Sequence, residues 1–272
     1  MSQDLKQQQS HFAFGENWAA FAELIEPSHI EEAEKGLRAL VDRPLDGLTM
    51  LDLGSGSGIH SLSALNAGVA QVNCVDIDPN SVATTRAVLS HFHPDGPWRC
   101  RQRSVFDMKP EEDGLYDLVY SWGVLHHTGS MYEAIEKAAA LVKPDGRLVL
   151  AIYLKTPFCP AWVVEKKLYT WAPRWLSRPF FWLFSAIKIV GLSILQRDLH
   201  VVKNYRKKRG MDFYRDIEDW LGGYPYESAS ADEISTFMGQ KGFTLVKSQR
   251  AGKVPFWGLF GTWCAEYCFQ KC

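Results

Sequence analysis

Between residues 48 and 77 the chain runs from an apolar strand through a glycine-rich turn and a helix into a second apolar strand, and this run narrows the fold more than any other feature. Leu51-Asp52-Leu53 leads into Gly54-Ser55-Gly56-Ser57-Gly58. A glycine turn between a buried strand and a helix is expected to bring free backbone N–H groups to a space that no side chain fills, where a small polar ligand fits. The alternation continues: strands are predicted at 48–53, 71–77, 98–104, 115–122 and 147–153, helices at 58–67, 80–91 and 131–142, and a turn at 143–146 before the fifth strand. Such β/α alternation builds an α/β fold, a doubly wound and mostly parallel sheet with helices on both faces.

The spacing of the glycines separates two classes of ligand. A dinucleotide turn reads G-x-G-x-x-G, and its third glycine lets the helix pack on its strand. Here Ile59 occupies that place and the third glycine is Gly58, which disfavours a nicotinamide oxidoreductase. With Val75-Asp76-Ile77-Asp78 at the end of the next strand, the turn resembles the cofactor site of class I methyltransferases, strongly over residues 45–153. The resemblance implies S-adenosyl-L-methionine as cofactor and S-adenosyl-L-homocysteine as product. It gives Asp52 and backbone carbonyls of the turn, over Gly54, Ser55, Gly56 and Gly58, to the amino-acid tail, whose ammonium group needs an acceptor. Asp52 as a simple turn cap is the alternative.

Asp76, with Ile77 beside it, ends a strand where a carboxylate can take both ribose hydroxyls. Asp78 precedes Pro79-Asn80 and reads as a helix cap. By the same resemblance Asp107 accepts from the adenine amino group, Phe106 packs on the ring, and Ser121, Trp122 and Gly123 line the cofactor beyond the fourth strand. Past them stand His126 and His127, candidate bases for a hydroxyl acceptor; a histidine that ties its loop to backbone is the alternative.

The family pattern implies a seven-stranded sheet with a helical insertion after strand five. Four regions follow: N-terminal helices (1–44), a cofactor-binding core (45–153), an aromatic-rich insertion (154–229), and a closing helix with an antiparallel hairpin (230–272). The insertion, rich in Trp, Phe and Leu from 157 to 195, is expected to build the acceptor pocket. A packing extension or dimer face, and docking to a membrane surface, are its alternatives; Lys188 lies too central for a membrane span. Tyr153 ends strand five, and Tyr224, Tyr226 and Glu227 follow a Gly222-Gly223 turn; these four are candidate acceptor-binding residues. The basic run 203–209 reads as a solvated helix face or a contact for an anionic acceptor. Ser230 with Glu233 three places on has capping-box spacing.

Near the N-terminus, Phe14 and Trp18 pin a short helix or close as a flap over the cofactor. The polar start, without the apolar core of a signal peptide, suggests a cytoplasmic protein. Six cysteines lack C-x-x-C pairing, and Cys264, Cys268 and Cys272 fall on or just beyond an alternating strand, so free thiols and no metal are expected. With 30 basic and 31 acidic residues and a net charge of −1, the composition favours a small-molecule acceptor over nucleic acid. The reading is methyl transfer to a small molecule, most readily at oxygen. A catalytically silent cofactor-binding module and methylation of a lipid-like acceptor at a membrane surface are the competing readings.

Overall fold

The computed structural model describes residues 25–196, 200, 202, 203, 205, 213–259 and 261–272. Seven strands, β1 (Thr49–Leu53), β2 (Gln71–Asp76), β3 (Trp98–Gln102), β4 (Tyr116–Trp122), β5 (Val142–Tyr153), β6 (Phe243–Gln249) and β7 (Cys264–Lys271), form one sheet in the order β3-β2-β1-β4-β5-β7-β6. The first five are parallel, and β7 runs antiparallel between β5 and β6. The strand order reverses direction between β1 and β4, so the crevice beyond their carboxyl ends is where a ligand has room.

Alternation along the strands sorts the core into two layers. Leu51 and Leu53 of β1 pack with Val119, Leu148 and Leu150 under α5 (Met131–Ala140) and α9 (Ala231–Gln240). Met50, Val72, Cys74 and Leu118 face the other way, under α1 (Pro27–Val41), α2 (Ile59–Asn66) and α3 (Pro79–Phe92). A side-chain period of two therefore fixes which layer each strand residue joins. A short α4 (Pro110–Asp113) precedes β4. Ser230 caps α9 in the expected capping box, its hydroxyl accepting from Glu233 N while the Glu233 carboxylate accepts from Ser230 N.

The insertion comprises α6 (Cys159–Trp171), α7 (Arg174–Gln196) and α8 (Phe213–Gly222), which share a separate aromatic cluster around Phe181, Phe213, Trp220 and Tyr226. One sequence expectation fails at β5. The turn predicted at 143–146 is instead part of the strand, which begins at Val142 paired with Tyr116; a register shift opposite 116–118 and a left-handed Asp145 absorb the extra residues. Most of the basic run lies outside the described residues.

Candidate active site

Strand parity decides where the two acids of the crevice point. Asp52 shares the Met50 side of β1 and so meets α2, where Ser61 Oγ donates to its Oδ2 at 2.6 Å. Asp76 closes β2; its Oδ2 accepts from Gly56 N at 3.0 Å and its Oδ1 from Asp78 N at 2.9 Å. Burial raises Asp52 to about 7, with the Ser61 hydrogen bond opposing and the Asp76 charge reinforcing the rise. Burial likewise raises Asp76 to about 6 against the backbone bonds from Asp78 and Gly56. Carboxyl groups taken out of water with no cation beside them gain most from an arriving ammonium or hydroxyl donor, so the pair fits the two polar ends of the cofactor named by the sequence.

The glycine turn differs from its expected role. Gly54 N and Ser55 N donate to Val75 O, Gly56 N donates to Asp76, and Gly58 N donates to Ser55 O, so these four amides are spent inside the turn. Thr85 locks it further by donating to Gly56 O while accepting from Ser55 Oγ. The glycines serve close approach: at φ +77 a Cβ on Gly54 would sit 2.5 Å from Val124, and at φ +79 one on Gly58 would sit 3.1 Å from Thr85 Cα. This end therefore offers carboxylates rather than a row of free amides, an arrangement that suits a cationic ligand better than a pyrophosphate.

Other predicted residues take varied places. Asp78 caps α3 through Asn80 N, as its sequence context implies. Ile77 O accepts from Gln102 Nε2. Phe106 packs half-buried against the core from the 3-10 turn Val105–Asp107, where Asp107 is exposed. Ser121 Oγ donates to Leu53 O at 3.0 Å, stitching β4 to β1. Trp122 Nε1 donates to Glu266, and its ring lies 5.7 Å from that of His60. Gly123, at φ +77, faces open space. Phe14 and Trp18 lie outside the described residues. Sequence reasoning missed His60, Ser61 and Tyr120. The Tyr120 hydroxyl lies 3.1 Å from His60 Nδ1, and burial lowers His60 to about 4. The parity of Asp52 was the available signal for Ser61, because it aims the acid at the first turn of α2.

Across the loop after β4 stands an aromatic chamber. His127 Nδ1–H donates to Pro225 O at 2.7 Å, which fixes the tautomer and leaves Nε2 as the basic nitrogen. Gly223 holds this position open, since a Cβ there would lie 3.0 Å from His127 Cε1. His126 is fully buried, its ring 4.3 Å from that of His127 and 4.1 Å from that of Tyr153. Burial, reinforced by His127, holds it well below the ordinary histidine value and so neutral. Tyr153 stacks on Tyr226 at 5.1 Å, and the Tyr226 hydroxyl lies 3.4 Å from Cys159 Sγ. Tyr224 is buried beside Trp171.

Glu227 corrects its expected role. Both of its oxygens accept from Met131 N, at 3.1 and 3.0 Å, so it caps the start of α5 instead of reaching an acceptor. Two further groups in the chamber were not anticipated. Lys166 is fully buried, with Nζ 3.6 Å from the Trp220 ring centroid and donating to Trp220 O, and burial lowers its pKa. Beside it the buried Glu165 carboxylate has no hydrogen-bond partner among the described residues and stands 4.0 Å from Lys166 Nζ; burial raises it.

A model of the methyltransferase-domain family matches residues 25–194. The chain belongs to that family. Among curated relatives, the chain is 28% identical over 199 residues to a tRNA U34 carboxymethyltransferase of Hahella chejuensis, covering 67% of this chain and 59% of that one. It is 34% identical over 113 residues to a ubiquinone biosynthesis O-methyltransferase of Xanthomonas euvesicatoria, covering 42% of this chain and 46% of that one. The chain thus spans about half the length of the curated relatives it matches. In fold it is similar to magnesium protoporphyrin IX methyltransferase from Synechocystis PCC 6803, solved with bound SAH, at a TM-score of 0.53 and 19% identity over 89% of this chain and 82% of the other. The seven-stranded sheet with its reversed final hairpin is the architecture they share.

Proposed function

We propose that this methyltransferase moves a methyl group from S-adenosyl-L-methionine to a hydroxyl oxygen of a small cytoplasmic molecule, leaving S-adenosyl-L-homocysteine. The observation that carries this reading is the pair of carboxyl groups, buried Asp52 and half-buried Asp76, held at the strand-order switch beside an aromatic chamber. In this reading Asp52 takes the ammonium of the donor and Asp76 its ribose diol. Ile77 and Phe106 pack on the adenine, Asp107 accepts from its amino group, and Gly123 leaves room beside it. When bound, that donor supplies an electrophilic methyl carbon on a sulfonium centre. The chain's own part is alignment and exclusion of water. Tyr153 and Tyr226 offer stacked rings to a planar acceptor, and His127 Nε2 holds the proton of its hydroxyl. The buried Lys166 and the unpartnered Glu165 favour an acceptor with a polar substituent at the far end.

Calorimetric titration with S-adenosyl-L-homocysteine, followed by turnover over hydroxy-aromatics, sugars, fatty acids, amines and thiols, tests the proposal. Methylation of a hydroxylated compound is the expected result; turnover confined to amines or thiols would overturn the choice of oxygen. A tRNA acceptor is the second reading, favoured by the name of the Hahella relative and by the basic run from Lys203 to Arg209 in the sequence. Including tRNA in the same panel separates the two, since turnover on tRNA alone would replace the small molecule.

A further inference from the structure

The outer face of α7 carries a continuous apolar stripe. Leu176, Phe180, Leu183, Ile187, Val190 and Ile194 recur at intervals of four and three, and all are exposed. That spacing lines one side of a helix for about five turns. From Pro179 to Ile194 every exposed residue of the helix is apolar. Among the described residues, Arg174–Ile194 is the stretch long and apolar enough to cross a membrane by length and composition. Its inner face is nevertheless committed to the protein: Phe181 and Ser185 are buried, and Lys188 lies 5.5 Å from the Trp220 ring, inside the aromatic cluster. The charge that argues against a membrane in the sequence therefore points away from the stripe. A helix attached along one side and apolar along the other can lie in a membrane plane but cannot thread through it.

We infer that this face of α7 seats on an anionic membrane surface. Three observations favour a membrane of that charge as the occupant. The charged residues of α7, Arg174, Arg178 and Lys188, are all basic, and the two arginines are exposed at its start. The segment 197–212 that follows carries six basic residues, Arg197, Lys203, Arg206, Lys207, Lys208 and Arg209, against two carboxylates, Asp198 and Asp212. Basic side chains at the start of an apolar face, with further basic residues after it in the sequence, match a layer of anionic headgroups over acyl chains. Trp175 and Trp182, 76% and 55% exposed, flank the stripe with the side chain best suited to the interface between headgroup and hydrocarbon. Membrane seating is independent of the acceptor reading, and it would hold for a methyltransferase of any substrate.

The test is co-sedimentation of the full chain with phosphatidylcholine vesicles and with mixed phosphatidylcholine–phosphatidylglycerol vesicles. The expected result is binding to the mixed vesicles, weakened by salt. Leu183→Glu with Ile187→Glu should reduce that binding by at least about tenfold. Arg174→Gln with Arg178→Gln should reduce it about fivefold per arginine. Retained S-adenosyl-L-homocysteine affinity in each variant would show that the fold is intact, and failure of that ligand to bind the wild-type chain would count against the methyltransferase reading alone. Absence of binding to mixed vesicles, or binding indifferent to Leu183→Glu with Ile187→Glu, would overturn the inference. So would a dimer in light scattering that the same pair of substitutions dissociates, because the stripe would then belong to a second copy of the chain.

Discussion

The two ends of the central strands treat their carboxylates in opposite ways. At the amino end, Asp117 accepts from Thr49 N at 2.9 Å, from Thr49 Oγ1 at 2.7 Å and from Lys143 Nζ at 2.8 Å. Although burial opposes it, this set of donors holds Asp117 down at about 2. At the carboxyl end, Asp52 and Asp76 have no cation beside them among the described residues, and burial lifts them to about 7 and about 6. The same residue type in the same sheet is thus satisfied where strands are held together and left wanting at the end proposed to bind the cofactor. In that proposal stability belongs to the first end and recognition to the second.

Substitutions at the two ends should therefore separate into different observables. His127→Ala, at the recognition end, should lower turnover by about a hundredfold or more while leaving S-adenosyl-L-homocysteine affinity unchanged. Equal loss of both in kinetics and calorimetry would reduce the histidine to a loop tie. Asp76→Ala should weaken S-adenosyl-L-homocysteine binding by about 1 to 3 kcal/mol with little change in the unfolding midpoint, the cost of two hydroxyls losing a charged partner. Asp117→Ala should do the reverse, lowering unfolding free energy in urea by about 1 to 2 kcal/mol and sparing ligand affinity. Should Asp117→Ala weaken binding as much as Asp76→Ala does, the contrast between the ends would collapse.

Proton linkage gives the finest test. An ammonium group favours the ionised form of Asp52, so a raised pKa means a proton must leave before the ligand enters. Affinity should be flat above pH 7 and fall by up to about tenfold per unit below it, more steeply below pH 6 as Asp76 also protonates. Asp117 has the opposite sign: its lowered pKa stabilises the fold above the ordinary carboxylate range, and that contribution disappears as pH falls toward 2. Calorimetry across this range, beside acid unfolding, reads both.

Local pattern carried the reading of the core. Period-two strands, the cap at Asp78 and the capping box at Ser230 with Glu233 are short-range signals, and each occurs where its spacing places it. Failures gather where distant residues decide. Glu227 looked like a ligand beside a turn of special residues, and its partner is Met131 N on a helix far away in sequence. Lys166 reads as an ordinary surface cation until Trp220 closes over it. The 143–146 segment has turn chemistry, yet a bulge lets it continue a strand. Gly54 and Gly58 were legible as glycine positions but not in purpose, because Val124 and Thr85, which crowd them, come from elsewhere in the chain.

The most direct test of the central claim is calorimetric titration of the full chain at pH 8 with S-adenosyl-L-homocysteine and, separately, with NAD. One site for S-adenosyl-L-homocysteine, weakened by about 1 to 3 kcal/mol on Asp76→Ala, and no heat with NAD is the predicted result. Binding of NAD, or no binding of S-adenosyl-L-homocysteine, would contradict it.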